Sequence, residues 1–493
     1  MHNFLSTTNM VDGAAGNLRS QWSNPGDILS LLLLIGGDII QKAIAQLVGY
    51  TIRPFGKNNL SIGITPVAFS FGWVAYGFTN LLSAVGEKKL MPTADYPSIV
   101  VNCANAFPRI NQSWVLSRLL RDHEIEHEVD PTNPPNGQLP STSSQGRAES
   151  IRIDIFELGL PSNPSLDLVW WLGWVTIITQ VIIASLPWFL YNDWGVMMVV
   201  LCGNLLALLT CTLPQWRQEK WAGRTLDSEN VTCLTRGNGH LHIMVFIGCK
   251  GSWNLETLAT AALVPHSETQ IVSLVLAVLW ICLLISVSGL KEHTWYLIGI
   301  GGIGMLQNIY AAGKARDPRT ANIHLTKFAR MPTIIGKRQF FKDDNDSDIN
   351  LEKAEADLSG LSEWLKGLGQ HSRHEHIQIP KWLDSMERKD GVPAWLEPLS
   401  VEQNEIANIH GALQELEKWV PTAGLAMMQI FFPTSLRYRE GRIRNNVHKK
   451  FWKKAYHTNR MRRQAEFKRR ELEMLSRGGN NVWKGIPLGK AEV

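Results

Sequence analysis

Residues 168–191 read LVWWLGWVTIITQVIIASLPWFLY, and after Asn192 and Asp193 the chain continues WGVMMVVLCGNLLALLTCTL over residues 194–213. Neither stretch contains Lys, Arg, Asp or Glu. A hydrocarbon core about 30 Å thick needs roughly 20 apolar residues per crossing helix. The two stretches therefore predict two membrane helices joined by a turn of two residues.

Working outward, four more apolar stretches occur, at residues 28–49, 62–86, 270–290 and 294–312. Together the six stretches predict an all-α membrane protein, a six-helix transmembrane bundle with a cytosolic, mostly helical C-terminal region and a small β-hairpin element. The predicted organisation is an N-terminal tail (1–27), three transmembrane hairpins (28–86, 168–213, 270–312), two cytosolic loops (87–167, 214–269), a helical region (313–433) and a basic tail (434–493).

The basic residues give the orientation. Of the 49 Lys and Arg residues, 45 lie in the N-terminal tail, in the two long loops and after residue 312. Only three lie in the short connections 50–61, 192–193 and 291–293, and Lys42 lies within the first stretch. Cytoplasmic loops are enriched in Lys and Arg, so both termini and both long loops are predicted in the cytosol of a plasma membrane or endomembrane. Tryptophans near the stretch ends agree with interfacial borders.

The first stretch contains four polar side chains, which form a candidate intramembrane site: Asp38, Gln41, Lys42 and Gln46. Asp38 and Lys42 are four residues apart and can pair along one helix face. Charged groups at membrane depth are costly and commonly face a bundle interior or water. Two readings stand: an ion, proton or substrate path, and an internally neutralised pair that fixes helix packing. Amides occur in other stretches and are typical interhelical hydrogen-bonding groups (Gln180, Asn204, Gln307 and Asn308).

The long loops contain local patterns of their own. Residues 131–150 are rich in Pro, Asn, Ser, Thr and Gly, which predicts a disordered linker. Residues 114–123 are predicted to form an amphipathic helix and 151–158 a strand. Residues 231–234 and 240–246 are β-rich runs around a Gly-Asn-Gly turn, which predicts a β-hairpin. His240 and His242 lie two residues apart on it, without an evident third partner, so exposed histidines are favoured over a metal or acid–base site.

The C-terminal tail combines positive charge with aromatic residues. An apolar segment at 419–433 is too short and too interrupted to span, and is predicted to lie in the membrane interface or to dock on the bundle. After it, a basic helix is predicted to contact anionic inner-leaflet lipids, where each basic residue contributes roughly 1 kcal/mol; a merely solvated helix is the alternative, and nucleic-acid binding is not favoured. The candidate lipid-contacting residues are Arg442, Arg444, Lys449, Lys450, Trp452, Lys453 and Lys454.

Several strings are familiar in combination: NPGDILSLLLLIGGDIIQKAIAQL (24–47), TPVAFSFGWVAYGFTNLLSAVG (65–86), LTRGNGHLHIMVFIG (234–248), LEKWVPTAGLAMMQIFFPTSLRYR (416–439) and NVHKKFWKKAYHT (446–458). Through them the chain resembles a group of multi-pass membrane proteins of filamentous ascomycete fungi that carry no assigned activity. The resemblance implies a fungal membrane protein, and it carries over no site residues.

Three classes of function compete. A membrane scaffold or regulatory protein, which binds a cytosolic protein, fits the large cytosolic mass and the nearly bare outer face. A small-solute or ion transporter or channel fits the polar first stretch, although internal repeats are not evident. An enzyme would need an acid–base or metal constellation, and the sequence offers none, nor a cofactor motif. The scaffold is the favoured prediction and the transporter its alternative.

Overall fold

A computed structural model describes residues 36–52, 62–128, 149–264, 266–290, 292–329, 331–337, 406, 408–420 and 422–432. Its helices are α1 (Gly37–Leu47), α2 (Trp73–Leu82), α3 (Trp114–Glu126), α4 (Leu168–Tyr191), α5 (Gly195–Cys211), α6 (Pro214–Lys220), α7 (Leu255–Leu258), α8 (Ser267–Ser288), α9 (Thr294–Gly313), α10 (Asn408–Trp419) and α11 (Ala423–Phe431). A π-helical turn, Ser83–Glu87, extends α2, and a 3₁₀ turn, Pro318–Ala321, follows α9.

The strands are β1 (Thr51–Ile52), β2 (Ile62–Gly63), β3 (Ile99–Asn102), β4 (Phe107–Ile110), β5 (Glu149–Leu158), β6 (Asn230–Thr235), β7 (His242–Gly248), β8 (Leu325–Lys327) and β9 (Thr333–Lys337). The first two form a small antiparallel hairpin. The other seven form one mixed sheet in the order β4-β3-β6-β7-β5-β8, with β9 also paired to β5.

The sheet is assembled from three separate parts of the chain. Strands β5 and β7 come from different long loops and pair in parallel, with Arg152 opposite His242. Strands β6 and β7 form the antiparallel hairpin that the sequence predicted. Strands β8 and β9, from beyond α9, pair antiparallel to β5. The two long loops and the C-terminal region therefore form one α/β layer.

Both faces of this sheet are buried. One face packs on α3 through residues such as Val100, Leu234 and Phe246. The opposite face carries Ile153, Cys233 and Val245 and packs on α10 and α11. Strands buried on both faces read as continuous apolar runs instead of alternating ones. The apolar segment 419–433, predicted to lie in the membrane interface or on the bundle, instead contributes α11 to this sheet core.

A helical bundle stands against the sheet layer. Within the described residues, Leu168–Tyr191 and Glu268–Ser288 are long and apolar enough to cross a membrane, and Gly195–Cys211 with Pro214–Lys220, bent by 45°, would make a third, broken span. Large apolar side chains are exposed along these helices, for example Ile182, Leu205 and Val275. Large apolar side chains exposed along neighbouring helices mark an interaction surface, which is consistent with association with a membrane.

The second predicted span is not a span. Residues 64–72 enter the bundle without forming a regular helix or strand, and α2 then leads back toward the sheet. At its inner turn, Phe69 lies against Gly304, midway along α9. Beyond α2, Ala84 O accepts a hydrogen bond from Gln270 at the start of α8. We call residues 64–87 the re-entrant segment, because both of its ends lie on the sheet side of the bundle.

The prediction of an all-α six-helix bundle is therefore wrong. The described residues contain a mixed sheet of seven strands and two helices, or three with the broken pair, that meet the requirements for a span. The re-entrant segment misled the prediction because its backbone is satisfied inside the protein, so an apolar stretch of span length need not cross. Most of the strands escaped detection because they are short and their partners are remote in sequence.

This arrangement changes one loop assignment and predicts a labelling result. Hairpin β1–β2, predicted on the outer side, lies near the α4 start, where Tyr50 packs edge-on against Trp170. Ile52, which is 45% exposed, should therefore be accessible from the side of the membrane that carries the sheet layer, which the basic residues predict to be the cytosol. A membrane-impermeant thiol reagent should label Ile52→Cys only in inside-out vesicles, after exposed Cys249 and Cys282 are replaced by serine. Glu292→Cys, in the opposite turn, serves as the control and should label only right-side-out vesicles.

Candidate functional site

The inner part of the re-entrant segment lies in a groove of glycines. A Cβ atom on Gly304 of α9 would lie 2.0 Å from Phe69 O, and one on Gly173 of α4 would lie 2.1 Å from Pro66 O. A Cβ atom on Gly203 of α5 would lie 2.5 Å from Cδ2 of the Phe69 ring. Only glycine permits such close approach of a helix to another backbone. Gly72, with φ of 90°, then provides the left-handed residue at which the non-helical chain turns into α2.

Buried amide side chains satisfy the non-helical backbone. Gln180 Nε2 donates to Phe69 O at 2.6 Å and to Ile300 O at 3.0 Å. Asn204 Oδ1 accepts from Phe69 N at 3.1 Å, while its Nδ2 donates to Gln180 Oε1. Non-helical backbone at membrane depth requires such partners, since lipid offers none. The predicted hydrogen-bonding role of these amides is confirmed, although their main partner is the re-entrant backbone.

Asn308 completes the polar lining from α9. Its Nδ2 donates to Ala68 O at 3.2 Å and to Ser70 Oγ at 2.8 Å. Gln307 Oε1 accepts from Ala68 N at the limiting distance of 3.5 Å. We call Gln180, Asn204, Gln307 and Asn308 the amide cluster. All four side chains are at most 5% exposed. The hydrogen bonds they form are directed to protein atoms, while Gln307 Nε2 and Asn308 Oδ1 have no partner among the described residues.

Replacing Gln180 by methionine should show how much the amide cluster contributes to the stability of the folded protein. The change keeps the side-chain length but leaves Phe69 O and Ile300 O without their donor, at a cost of about 1–2 kcal/mol. The melting temperature of the purified protein in detergent should fall accordingly. Thr179→Val is the matched control, because the Thr179 hydroxyl bonds only to Val175 O of its own helix. Equal melting temperatures for both variants would contradict a role for Gln180 in holding the segment.

The predicted intramembrane site is dispersed along α1. Asp38 is exposed in the first helical turn, where its charge favours the helix N-terminus. Lys42 is half-buried, and no ion pair joins it to Asp38 within the described chain. Gln41 Nε2 donates to Leu90 O at 2.8 Å. Gln46 is buried, and its backbone carbonyl oxygen accepts hydrogen bonds from two cations, Lys220 and Arg316.

The two cations, Lys220 and Arg316, lie between the bundle and the sheet layer. We call the polar groups there the junction: Asp95, Arg118, Asp167, Lys220 and Arg316. Arg316 forms a bidentate pair with Asp167, with both N–O distances at 2.7 Å, and also donates to Gln46 O. Asp167 in turn caps α4 by accepting from Trp170 N. Lys220 Nζ donates to Gln46 O at 3.2 Å and to Val48 O at 2.6 Å. Cations at these carbonyls stabilise the C-terminal end of α1.

Helix α3 is fastened to the same junction. Arg118 Nη1 donates to Ala312 O at 2.9 Å, at the end of α9. Its Nη2 pairs with Asp95 at 2.7 Å, and its guanidinium lies 4.2 Å from the Trp114 ring centroid. The side chain is 7% exposed. The guanidinium groups of Arg118 and Arg316 are buried and their carboxylate partners are partly exposed. Loss of a carboxylate would leave a buried cation uncompensated, so these pairs stabilise the contact between sheet layer and bundle.

A second polar cluster lies within the sheet layer and was not predicted. Asp154 on β5 accepts from His123 Nε2 and Arg152 Nε, both at 2.9 Å, and from Thr333 Oγ1 at 2.6 Å. Burial disfavours the charged carboxylate, but the hydrogen bonds from His123, Thr333 and Arg152 outweigh it and hold the pKa of Asp154 well below its usual range. His242 Nε2 contacts His127 O at 2.6 Å.

The cluster of His123, His127, His242 and Asp154 lacks the features of a metal centre. No group of three or more His, Cys, Asp or Glu side chains that could hold a metal ion occurs in the described parts of the chain. His242 is only 8% exposed, in contrast to the exposed histidine expected from sequence. It is buried because β7 is an inner strand of the sheet, with β5 and β6 on its two sides. Asp154 carried no sequence signal, since its partner His123 is 31 residues away on another element.

The predicted lipid-contacting residues Arg442, Arg444, Lys449, Lys450, Trp452, Lys453 and Lys454 all lie outside the described residues. The predicted linker at 131–150 also lies almost wholly outside them.

Comparison with known proteins returned no match to a family model, to a curated protein or to a solved structure.

Proposed function

We propose that this chain is a multi-pass integral membrane protein that acts as a scaffold or regulatory protein, holding its α/β layer at the cytosolic surface for a cytosolic protein partner. In this proposal α4, α5, α8 and α9 cross the bilayer, and both termini lie in the cytosol of a plasma membrane or endomembrane. The resemblance to fungal membrane proteins remains a prediction about origin.

The observation that supports the scaffold best is the junction. Arg316 ties the segment after α9 to the start of α4, and Arg118 ties α3 to the end of α9. Lys220 adds the end of α1. A protein that positions another on a membrane needs such a rigid connection between its anchor and its exposed domain. At the other end of the bundle, the α4–α5 and α8–α9 connections are short and offer little surface. They contact each other through His293 Nδ1 and Asp193 Oδ2, 3.0 Å apart.

Four crossing helices also suit the charges. Arg53 and Lys57 lie between β1 and β2, whose described ends are on the sheet side. Lys291, between α8 and α9, is then the basic residue left on the outer side. The asymmetry expected of cytoplasmic loops is therefore stronger with a re-entrant segment than with six spans.

The transporter or channel remains the second candidate, and the re-entrant segment is the observation that favours it. Broken helices at the midplane commonly form substrate sites in transporters. Here, however, the amide cluster is directed to backbone atoms, and large rings pack beside it: Trp73 and Trp280 stack with ring centroids 5.3 Å apart. The described interior is thus packed with protein groups, which favours the scaffold.

Two measurements on the full chain separate these candidates. Liposomes containing the purified protein and a pH- or potassium-sensitive dye should show no more flux than empty liposomes. Flux that disappears in Gln180→Met would instead support transport. In cells, a photo-crosslinking residue at exposed Ile125, which is 57% exposed on α3, should give a discrete adduct with a second protein. The matched position Ile182, on the apolar surface of α4, should give none, and failure at Ile125 would contradict a partner at this face.

A further inference from the structure

The junction contains a small cavity with unused hydrogen-bond donors. It measures about 30 Å³, and its walls include Gln46, Trp114, Arg118, Lys220, Arg316 and Thr320. A site needs roughly 10–15 Å³ of such space for one water molecule, so this one has room for more than one water-sized group. Its position beside the start of α4, where Trp170 and Trp174 cluster, is the level of lipid headgroups in the proposed membrane placement.

Two wall residues have buried N–H groups without an acceptor among the described residues, Arg118 Nε and Trp114 Nε1. Both side chains are more than nine-tenths buried. A buried donor that lacks a partner is costly, and native proteins rarely leave one unsatisfied. Eleven buried side-chain polar atoms lack a partner among the described residues, and these two are the ones whose residues line the cavity, so an acceptor from outside the described chain would satisfy both.

Lys220 adds a buried amine that has no carboxylate partner at hydrogen-bond distance among the described residues, and burial together with the nearby Arg316 guanidinium holds its pKa well below the usual range. Lys220 is 4% exposed, and its Nζ is bonded to two carbonyl oxygens and to no carboxylate of the described residues. The neighbouring cations differ, because Arg118 pairs with Asp95 and Arg316 with Asp167. An anion bound beside this amine would favour its charged form, so the site is suited to an anion from outside the chain.

The two carboxylates that line the cavity are already engaged. Asp122 is hydrogen-bonded by Arg121 and by the backbone N–H of Arg316. Asp317 caps the 3₁₀ turn by accepting from Arg319 N at 2.8 Å. Their charges are therefore partly compensated, and the donors without partners come from Arg118, Trp114 and the third proton of Lys220.

We infer that this junction cavity is a binding site for a phosphate group, supplied either by a phospholipid headgroup or by free inorganic phosphate. Oxygens of one tetrahedral anion would accept from Arg118 Nε and Lys220 Nζ, with Trp114 Nε1 as a further donor. Charge-assisted hydrogen bonds to phosphate are among the strongest in proteins. Bound there, the anion would strengthen the connection between bundle and sheet layer. This inference does not depend on whether the proposed scaffold binds a protein partner.

The test uses the full chain purified in neutral detergent. Binding is measured by thermal shift with three probes: sodium phosphate against sodium chloride at equal ionic strength, dioctanoyl phosphatidic acid, and dioctanoylglycerol, which lacks the phosphate. A saturable stabilisation by phosphate identifies the free anion as ligand. Stabilisation by phosphatidic acid alone identifies a lipid headgroup. No stabilisation by either, or an equal effect of dioctanoylglycerol, overturns the inference.

Two variants localise the effect. Ala321→Leu fills the cavity without removing a charge and should weaken binding by about tenfold or more, the equivalent of one lost charged hydrogen bond. Ala104→Leu, in the turn between β3 and β4, is the matched control and should bind like the unchanged protein. Lys220→Met is the second test should Ala321→Leu not fold. Unchanged affinity in the folded cavity variant would place any binding elsewhere and overturn the site.

Discussion

Changing Gly304 to alanine should destabilise the protein by about 3 kcal/mol, because the added methyl group has no space. Its carbon would lie 2.0 Å from Phe69 O and 2.6 Å from Gln180 Nε2. Neither neighbour can move freely, since Phe69 O is a backbone atom that Gln180 already binds. We expect a lower melting temperature in detergent and a smaller monodisperse fraction on size-exclusion chromatography.

Gly299 provides the matched control on the same helix. A Cβ atom there has nothing within 4 Å, so Gly299→Ala should be neutral or stabilise by up to about 1 kcal/mol through improved helix propensity. A fall in melting temperature of similar size for both variants would mean that α9 tolerates no substitution generally. That result would contradict a specific contact between Gly304 and the re-entrant segment.

Replacing Asp154 by alanine should cost about 3–5 kcal/mol, because buried His123 and half-buried Arg152 lose their shared anion. Asp154 is 1% exposed. Asp227→Ala, at an exposed site, is the control and should remain within about 0.5 kcal/mol of the unchanged protein. Chemical denaturation followed by tryptophan fluorescence would measure both, and a mild effect of Asp154→Ala would show that the cluster contributes little.

The same residue predicts a pH dependence. The pKa of Asp154 in the folded protein is lowered below its usual 3.8, because the hydrogen bonds from His123, Thr333 and Arg152 outweigh burial. The resulting stabilisation is complete above pH 3.8 and is lost as pH falls through the lower folded-state pKa. Between pH 7 and pH 3 the unchanged protein should lose about 1 kcal/mol more than Asp154→Asn. An equal loss in both proteins would show that the pKa is not lowered.

The sequence predicted the parts whose signals are local. Helices α4, α5, α8 and α9, helix α3, strand β5 and hairpin β6–β7 follow from apolar length, periodicity and turn residues close together in the chain. Gln180 and Asn204 were correctly read as buried hydrogen-bonding groups, since amides within apolar stretches have few other uses.

The parts that failed depend on contacts between distant residues. The apolar content of residues 62–86 is the same whether the segment crosses a membrane or turns back inside a bundle, and only Gly173, Gly203 and Gly304 on other helices decide between them. The junction pairs join residues such as Asp167 and Arg316, which are 149 positions apart. No local pattern marks such a pair, so the candidate site in α1 was placed on charge alone.

The pairing of β5 with strands from later parts of the chain has a consequence for synthesis. Strand β5 ends at Leu158, whereas β9 begins at Thr333 and helix α10 at Asn408. At 5–20 residues per second, a ribosome needs roughly 9 to 35 seconds to translate from Leu158 to Thr333. During that interval β5 has no partner for its β9 edge, and under the proposed membrane placement α4, α5, α8 and α9 must already be inserted. Completion of the α/β layer is therefore the last step of biogenesis, and a ribosome that stalls within α9 would leave an inserted chain with an open, aggregation-prone strand.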